Sequence, residues 1–435
     1  MIFSALPASR PLLGTVRVPG DKSISHRAVL FAAMAEGTSR LTGVLDSADV
    51  RSTIAAVVAL GAEVVVTPGR DEGLDLTVTG WGTSGPREPA APIDCGNSGT
   101  TCRLLMGILA PWSITVVLDG DTSLRKRPMR RVTDPLTSMG AAFRSSDGHL
   151  PMTVKGAPLR ALRYESAVAS AQVKTAVLLA GLGSQGVTTV IEAACSRDHT
   201  ERLLPAFGVA VGRDAGTLSC WVSGPAELTA ADVAVPADPS SAAFIVGAAL
   251  LVPGSEVTLR DVALNPTRIG FLRVLERMGA RVRMTIERAA GAEPTGSLVV
   301  TYSGDLKATN VLPDEVPSLV DEVPLLAVVA CAAHGTTRFE GVGELRVKES
   351  DRLSAIAHGL TSLGATVRAG DDWLEVDGPA ALHGARLSSL GDHRLAMAWA
   401  VAALACDSPV EIPMWDAVNV SYPGFAHDLA GLTRR

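Results

Sequence analysis

Aromatic side chains are scarce, at 4% of 435 residues. No core can rest mainly on stacked rings, so apolar packing falls to Ala, Val and Leu, which suit helices packed closely on sheets. No CxxC pair occurs. The six cysteines, Cys95, Cys102, Cys195, Cys220, Cys331 and Cys406, are irregularly spaced, which fits free thiols in a reducing cytosol rather than a disulfide framework. There is no His-x3-His and no Cys/His cluster, so no metal site is expected. No GxGxxG follows a strand, and no cofactor is expected. Net charge is −6 with no long basic block, which disfavours a nucleic-acid partner. The longest apolar runs, such as 396–406, are too short to span a bilayer. Residues 1–14 lack the basic start and apolar stretch of a signal peptide. These absences predict a cytoplasmic enzyme or binder of small molecules, and nothing demands more than a monomer.

What is present is length and repetition. Hydrophobic residues make up 47% and charged residues 19%, ample for a packed core, and 435 residues suggest two domains or one domain repeated. One phrase recurs: an apolar residue, a glycine, a small residue, then a β-type residue two further on. It occurs at Gly61, Gly140, Gly208, Gly279 and Gly364, with a worn sixth copy at Gly431. The physical reading is a helix that stops at a left-handed glycine and passes into a strand. Six copies at a long period predict an array of similar supersecondary units.

Each unit also has another, more apolar helix with a polar start. The starts are Lys22-Ser23-Ile24-Ser25, Gly96-Asn97-Ser98-Gly99, Ser170-Ala171-Gln172, Asp238-Pro239-Ser240-Ser241, Val320-Asp321-Glu322 and Gly391-Asp392-His393. Ser, Asn and Asp there act as N-caps. Helix N-termini also attract anions through unpaired N–H groups and the dipole. Six such starts, interleaved with Lys and Arg, predict a shared pocket for small anions. The units divide into an upper domain, 21–236, and a discontinuous lower domain, 1–20 with 237–435, with crossovers near 19–20 and 235–237.

Five stretches carry chemistry. Pro19 to Arg27 is not a P-loop, because Asp21 stands between Gly20 and Lys22; it leaves Lys22, Ser23, Ser25 and Arg27 at a helix start, where the cations suit phosphate or carboxylate. Asp94 to Arg103 has glycines that let a ligand approach the backbone. Arg125 to Arg131 holds five basic residues in seven; a solvated loop is the ordinary reading and an anion clamp the sharper one. Ser170 to Lys174 and Ser196 to Glu201 pair a hydroxyl with a cation or amide. Asp321-Glu322, Arg346 to Arg352 and Asp392-His393-Arg394 combine acids with cations, as proton transfer on an anion requires.

Together these stretches resemble the 5-enolpyruvylshikimate-3-phosphate (EPSP) synthase family of enolpyruvyl transferases from Pro19 to Pro423, with Pro19 to Arg27 and Leu345 to Arg352 as its most specific signatures. The resemblance implies an α/β fold of two domains, each with three βαβαββ-like units, helices inside and sheets outside, closing around ligands. It implies transfer of the enolpyruvyl group of phosphoenolpyruvate to the 5-hydroxyl of shikimate 3-phosphate, in aromatic amino-acid biosynthesis. Lys22, Ser23, Arg27, Ser170, Ala171, Gln172, Arg197, Asp321 and Lys348 would meet shikimate 3-phosphate. Lys22, Asn97, Gly99, Arg127, Gln172, Arg352 and Arg394 would meet phosphoenolpyruvate. Asp321 would take the 5-hydroxyl proton, and Glu349, with Lys22, would handle the proton at the methylene carbon.

The chain departs from some family members at His199, where they have Tyr, at Glu344, where they have Asn, and at Val420, where they have a Lys that reaches phosphoenolpyruvate. Several motifs resemble the branch often tolerant of the inhibitor glyphosate, whereas Gly99, in place of a frequent Ala, points to sensitivity. Two rival readings are an enolpyruvyl transferase acting on UDP-N-acetylglucosamine, whose loop usually carries a Cys that Asp121 to Arg127 lacks, and a non-catalytic anion-binding protein, which has no need of Asp321 and Glu349.

Overall fold

The computed structural model describes residues 1–288 and 293–433. In it, glycines end the second helix of five repeats. The helices Ala48–Ala59, Arg130–Met139, Gly270–Arg277 and Arg352–Ser362, and the 3-10 turn Leu204–Phe207, stop just before Gly61, Gly140, Gly279, Gly364 and Gly208. All five glycines have positive φ, from 82° to 125°, which a Cβ would penalise. Strands then begin at Glu63, Ala142, Arg281, Thr366 and Val211. Gly431 differs from the expectation: it lies inside the helix Phe425–Thr433 and ends nothing. A large residue follows it, and Leu429 and Leu432 are both buried, so continuing the helix seats both on the core.

Five sheets share one topology. In each, a first strand runs parallel to a second, which pairs antiparallel with a third, which pairs antiparallel with a fourth. Ile93–Asp94, Thr115–Asp119, His149–Lys155 and Ala142–Ser146 form one such sheet. Asn310–Val311, Gly335–Glu340, Trp373–Gly378 and Thr366–Ala369 form another. Two sheets borrow their first strand across the chain: Leu13–Val16 lies parallel to Glu256–Ala263, and Asp232–Ala234 lies parallel to Thr38–Val44. The sixth repeat is reduced to a parallel bridge, Arg386 to Glu411, beside the antiparallel pair Ile2–Ala5 and Val410–Pro413.

The described chain folds as two compact units. An inserted unit holds Gly20–Val235 with Glu293, and a discontinuous unit holds 1–19, 236–288 and 294–433. Each has its own apolar core. The first helix of each repeat forms that core: α1 (Lys22–Met34), α2 (Gly99–Leu109) and α3 (Ala171–Leu182) in the inserted unit, and α4 (Pro239–Leu251), α5 (Val323–Ala330) and α6 (His393–Ala403) in the discontinuous one. Small residues let these helices approach closely. A Cβ on Gly107 of α2 would lie 2.2 Å from the Ala176 carbonyl oxygen of α3.

Candidate functional site

The polar helix starts are capped as the residue types predict, with two differences. Asp21, not Ser23, caps α1 by accepting from the Ile24 N–H at 2.7 Å. Ser98, Ser170, Asp238 and Asp392 cap α2, α3, α4 and α6. The start of α5 has no side-chain cap, because Val320–Glu322 forms a 3-10 turn ahead of it. Three of the six starts are therefore capped by a carboxylate and a fourth, at α5, carries Asp321 and Glu322, so positive charge for an anion has to come from the Lys and Arg side chains around them.

In the inserted unit, the three starts are tied together. Buried Arg27 of α1 donates from Nε to Thr200 Oγ1 at 2.8 Å, from Nη2 to Thr175 Oγ1 of α3 at 3.0 Å and from Nη1 to the Ser23 carbonyl at 3.1 Å. Burial lowers its pKa to about 10, opposed by Glu201 and Asp21. Lys22 Nζ lies 2.5 Å from Asp49 Oδ2. Arg103 of α2 donates to Gln172 Oε1 at 2.6 Å, and Gln172 Nε2 donates to Thr100 Oγ1 at 2.9 Å. These two bonds fix which way the Gln172 amide faces. Arg127 donates to Asn97 Oδ1 at 2.7 Å. A Cβ on Gly99 would lie 3.0 Å from Arg103 Nη1 and 3.3 Å from Arg127 Nη1, so two guanidiniums crowd this glycine. Ser23, Ala171 and Arg197 are partly exposed.

Some cations do not serve as the sequence suggested. Of the five basic residues in 125–131, only Arg127 meets the Asn97 loop. Arg125 pairs with Asp119 and Arg130 with Asp147, while Lys126 and Arg131 are exposed. Two of the five are thus held in separate ion pairs, and Arg127 reaches Asn97. Lys174 is buried between Glu192 at 2.7 Å and Glu201 at 2.8 Å. Burial would lower its pKa, but the two carboxylates raise it, so it is an interior cation. His199 is also buried, with Nδ1 2.6 Å from Glu293 Oε1.

In the discontinuous unit, the acids and cations of α5 and α6 gather around Arg352. Its guanidinium meets Asp392 Oδ2 at 2.7 Å, Asp321 Oδ1 at 3.2 Å and Glu349 Oε2 at 2.5 Å. Burial opposes its charge, but Asp392, Glu349 and Asp321 outweigh that and raise its pKa. Burial pushes the Asp392 carboxyl up, and Arg352 more than reverses it. Arg394 Nη2 lies 3.3 Å from Asp321 Oδ2, so two arginines hold this acid. Lys348 pairs with Glu344 at 2.8 Å. Neighbouring Glu322, to which the family resemblance gave no role, accepts from Ser240, and Arg268 bonds both Ser240 and Asp238. Val420 ends the 3-10 turn Trp415–Val420.

Asp49, which contacts Lys22, was missed as well, and Arg103, which closed the Asp94 to Arg103 stretch without a role of its own, contacts Gln172. Asp49 lies in the first turn of the glycine-stopped helix Ala48–Ala59, whose start is not one of the six assigned to anions, and Arg103 is one turn inside α2.

A model of the family EPSP synthase (3-phosphoshikimate 1-carboxyvinyltransferase) matches residues 6–429. The chain is 48% identical to a 3-phosphoshikimate 1-carboxyvinyltransferase of Halorhodospira halophila over 97% of this chain and 94% of the relative. It is 45% identical to one of Brevibacillus brevis over 97% of each. A solved EPSP synthase from Acinetobacter baumannii matches with a TM-score of 0.88 at 38% identity, over 99% of this chain and 98% of that one. The enolpyruvyl transferase NikO of Streptomyces tendae matches in fold, with a TM-score of 0.77 at 19% identity over 99% and 97%. Because the family model and these relatives match along nearly its whole length, the chain belongs to the EPSP synthase family.

Proposed function

We propose that the chain transfers the enolpyruvyl group of phosphoenolpyruvate to the 5-hydroxyl of shikimate 3-phosphate. The hydroxyl oxygen adds to the enol carbon as a proton joins the methylene carbon, giving a tetrahedral intermediate. Loss of a proton from that carbon and of phosphate from its neighbour then gives the enolpyruvyl ether. The observation that carries the reading, beside family membership, is the pair of acids on one buried guanidinium: Asp321 and Glu349 both meet Arg352. A protein that only binds anions needs no carboxylates among its cations.

Roles follow by position. Ser23, Ser170, Ala171, Gln172, Arg27 and Arg197 serve shikimate 3-phosphate. Asn97, Gly99, Arg127, Arg352 and Arg394 serve phosphoenolpyruvate, and Lys22 serves both. Asp321 takes the hydroxyl proton, Lys348 orients that hydroxyl, and Glu349 with Lys22 moves the proton at the methylene carbon. No described helix is long and apolar enough to cross a membrane, and all six cysteines are free thiols. Free thiols suit a reducing, cytoplasmic setting, the enzyme is read as a monomer, and Gly99 supports inhibition by glyphosate. The test is phosphate release from phosphoenolpyruvate. It is expected only when shikimate 3-phosphate is also present; release from phosphoenolpyruvate alone makes the protein a phosphatase and ends the proposal.

A further inference from the structure

A line of buried hydrogen bonds runs from α1 to the cap of α2. His26 of α1 is fully buried. Its Nδ1 lies 2.6 Å from Thr53 Oγ1 on the helix Ala48–Ala59. Thr53 Oγ1 lies 2.6 Å from Thr101 Oγ1, which donates to Ser98 Oγ at 2.7 Å. Ser98 caps α2 by accepting from the Thr101 N–H at 3.1 Å, and its own N–H bonds the Cys95 carbonyl at 2.9 Å. Asn97 and Gly99 flank this serine on either side.

The donors can be assigned by counting protons. Thr101 spends its hydroxyl proton on Ser98, so it accepts from Thr53. Thr53 has then spent its own proton and must accept from His26. An alternative acceptor for Thr53, the Asp49 carbonyl, is farther, at 3.4 Å. His26 therefore carries its proton on Nδ1. Its Nε2 is buried with no hydrogen-bond partner among the described residues, a place that tolerates a bare lone pair better than an unpaired N–H. Burial also lowers its pKa, and Lys22 and Arg27 add to this against Asp49.

We propose that His26 is a positioning residue for the Asn97–Gly99 loop. It is held as the neutral Nδ1–H tautomer and acts through Thr53, Thr101 and Ser98. The inference rests on the reading that this loop meets phosphoenolpyruvate. His26 touches no ligand in this scheme; it fixes the one serine whose neighbours do. Without its donor, the Thr53 hydroxyl is free to turn away from Thr101, and the loop loses its anchor from below.

The test uses two variants of the full chain. Leu at position 26 removes the donor, whereas Asn places an amide nitrogen where Nδ1 stands. His26→Leu is expected to raise the KM for phosphoenolpyruvate about fivefold to tenfold, with kcat and the KM for shikimate 3-phosphate within about twofold, the scale of one hydrogen bond. His26→Asn is expected to restore the wild-type KM. Equal rises in both KM values, or an Asn variant as impaired as Leu, overturn the proposal. Nitrogen NMR of histidine-labelled wild-type protein reads the tautomer directly. An Nδ1–H, Nε2-bare ring at neutral pH supports the relay, and an Nε2–H or doubly protonated ring ends it. If the wild type fails to release phosphate with both substrates, the functional reading falls by itself. The tautomer and the amide shifts of Asn97 to Thr101 in His26→Leu still judge the relay.

Discussion

Arg352 and His26 show opposite ways of keeping an ionisable side chain inside this protein. Arg352 stays charged because Asp392, Glu349 and Asp321 surround it; its charge is offset group by group. His26 is kept neutral, with its pKa pushed down to about 3, chiefly by burial. That difference predicts a pH dependence. The unfolded chain takes up a proton on His26 near pH 6.5, and the folded chain does not until about pH 3. The stability from neutral His26 is therefore fully present above pH 6.5 and is lost as pH falls below it, by about 1.4 kcal/mol per pH unit. Urea unfolding of wild type and His26→Asn at several pH values between neutral and acid checks this: the wild type should lose stability faster on the acid side, and parallel curves would contradict it. At this scale the sequence disclosed the residues proposed to meet ligands more readily than the partners that hold them. Lys22 and Arg352 stand in dense polar runs. Their partners Asp49 and Asp392 lie 27 and 40 residues away along the chain, and local patterning carries no sign of pairings that only the fold creates.

Helix and strand junctions were the most legible elements, because a left-handed stop is a local requirement met by one residue type. The Gly61, Gly140, Gly208, Gly279 and Gly364 phrases mark real stops, each with positive φ. Gly431 shows the limit of the signal: glycine alone does not end a helix when the next residue must seat on the core. Alanine separates the two cases. At Gly279, φ is +82° and nothing lies closer to a new Cβ than 4.0 Å, so Gly279→Ala should cost about 1–2 kcal/mol from backbone strain alone. At Gly431, no atom lies within 4 Å of a new Cβ, so Gly431→Ala should stabilise by about 0.5–1 kcal/mol through helix propensity and a less flexible unfolded chain. Denaturant midpoints at constant m-value measure both, and equal signs would refute the distinction. Sheet order was less legible. Nothing local in Leu13–Val16 or Asp232–Ala234 announces that each supplies the first strand of a repeat whose other elements lie far along the chain.

For the whole molecule, six related repeats make six similar helix starts, yet the chemistry placed on them is unequal. Apart from the Asp21 cap, the starts in the inserted unit carry hydroxyls, amides and cations: Ser23, Asn97, Ser170, Gln172, Lys22 and Arg27. The acids assigned to proton transfer, Asp321 and Glu349, lie in the discontinuous unit. This division follows from what each ligand demands. A phosphate ester needs donors and positive charge, whereas addition to an enol carbon also needs groups that take and return protons. It also allows binding and turnover to be separated by one atom. Asp321→Asn keeps the size of the side chain and its ability to accept from Arg352, but removes the base. The variant should bind shikimate 3-phosphate within about tenfold of wild type, because most groups assigned to that ligand are unchanged, while kcat falls about 10²- to 10⁴-fold. Isothermal titration with shikimate 3-phosphate, alongside phosphate release, measures the two quantities on one preparation. A variant that loses affinity and rate in equal proportion would make Asp321 a binding group only, and one that keeps full kcat would remove it from the proton-transfer step.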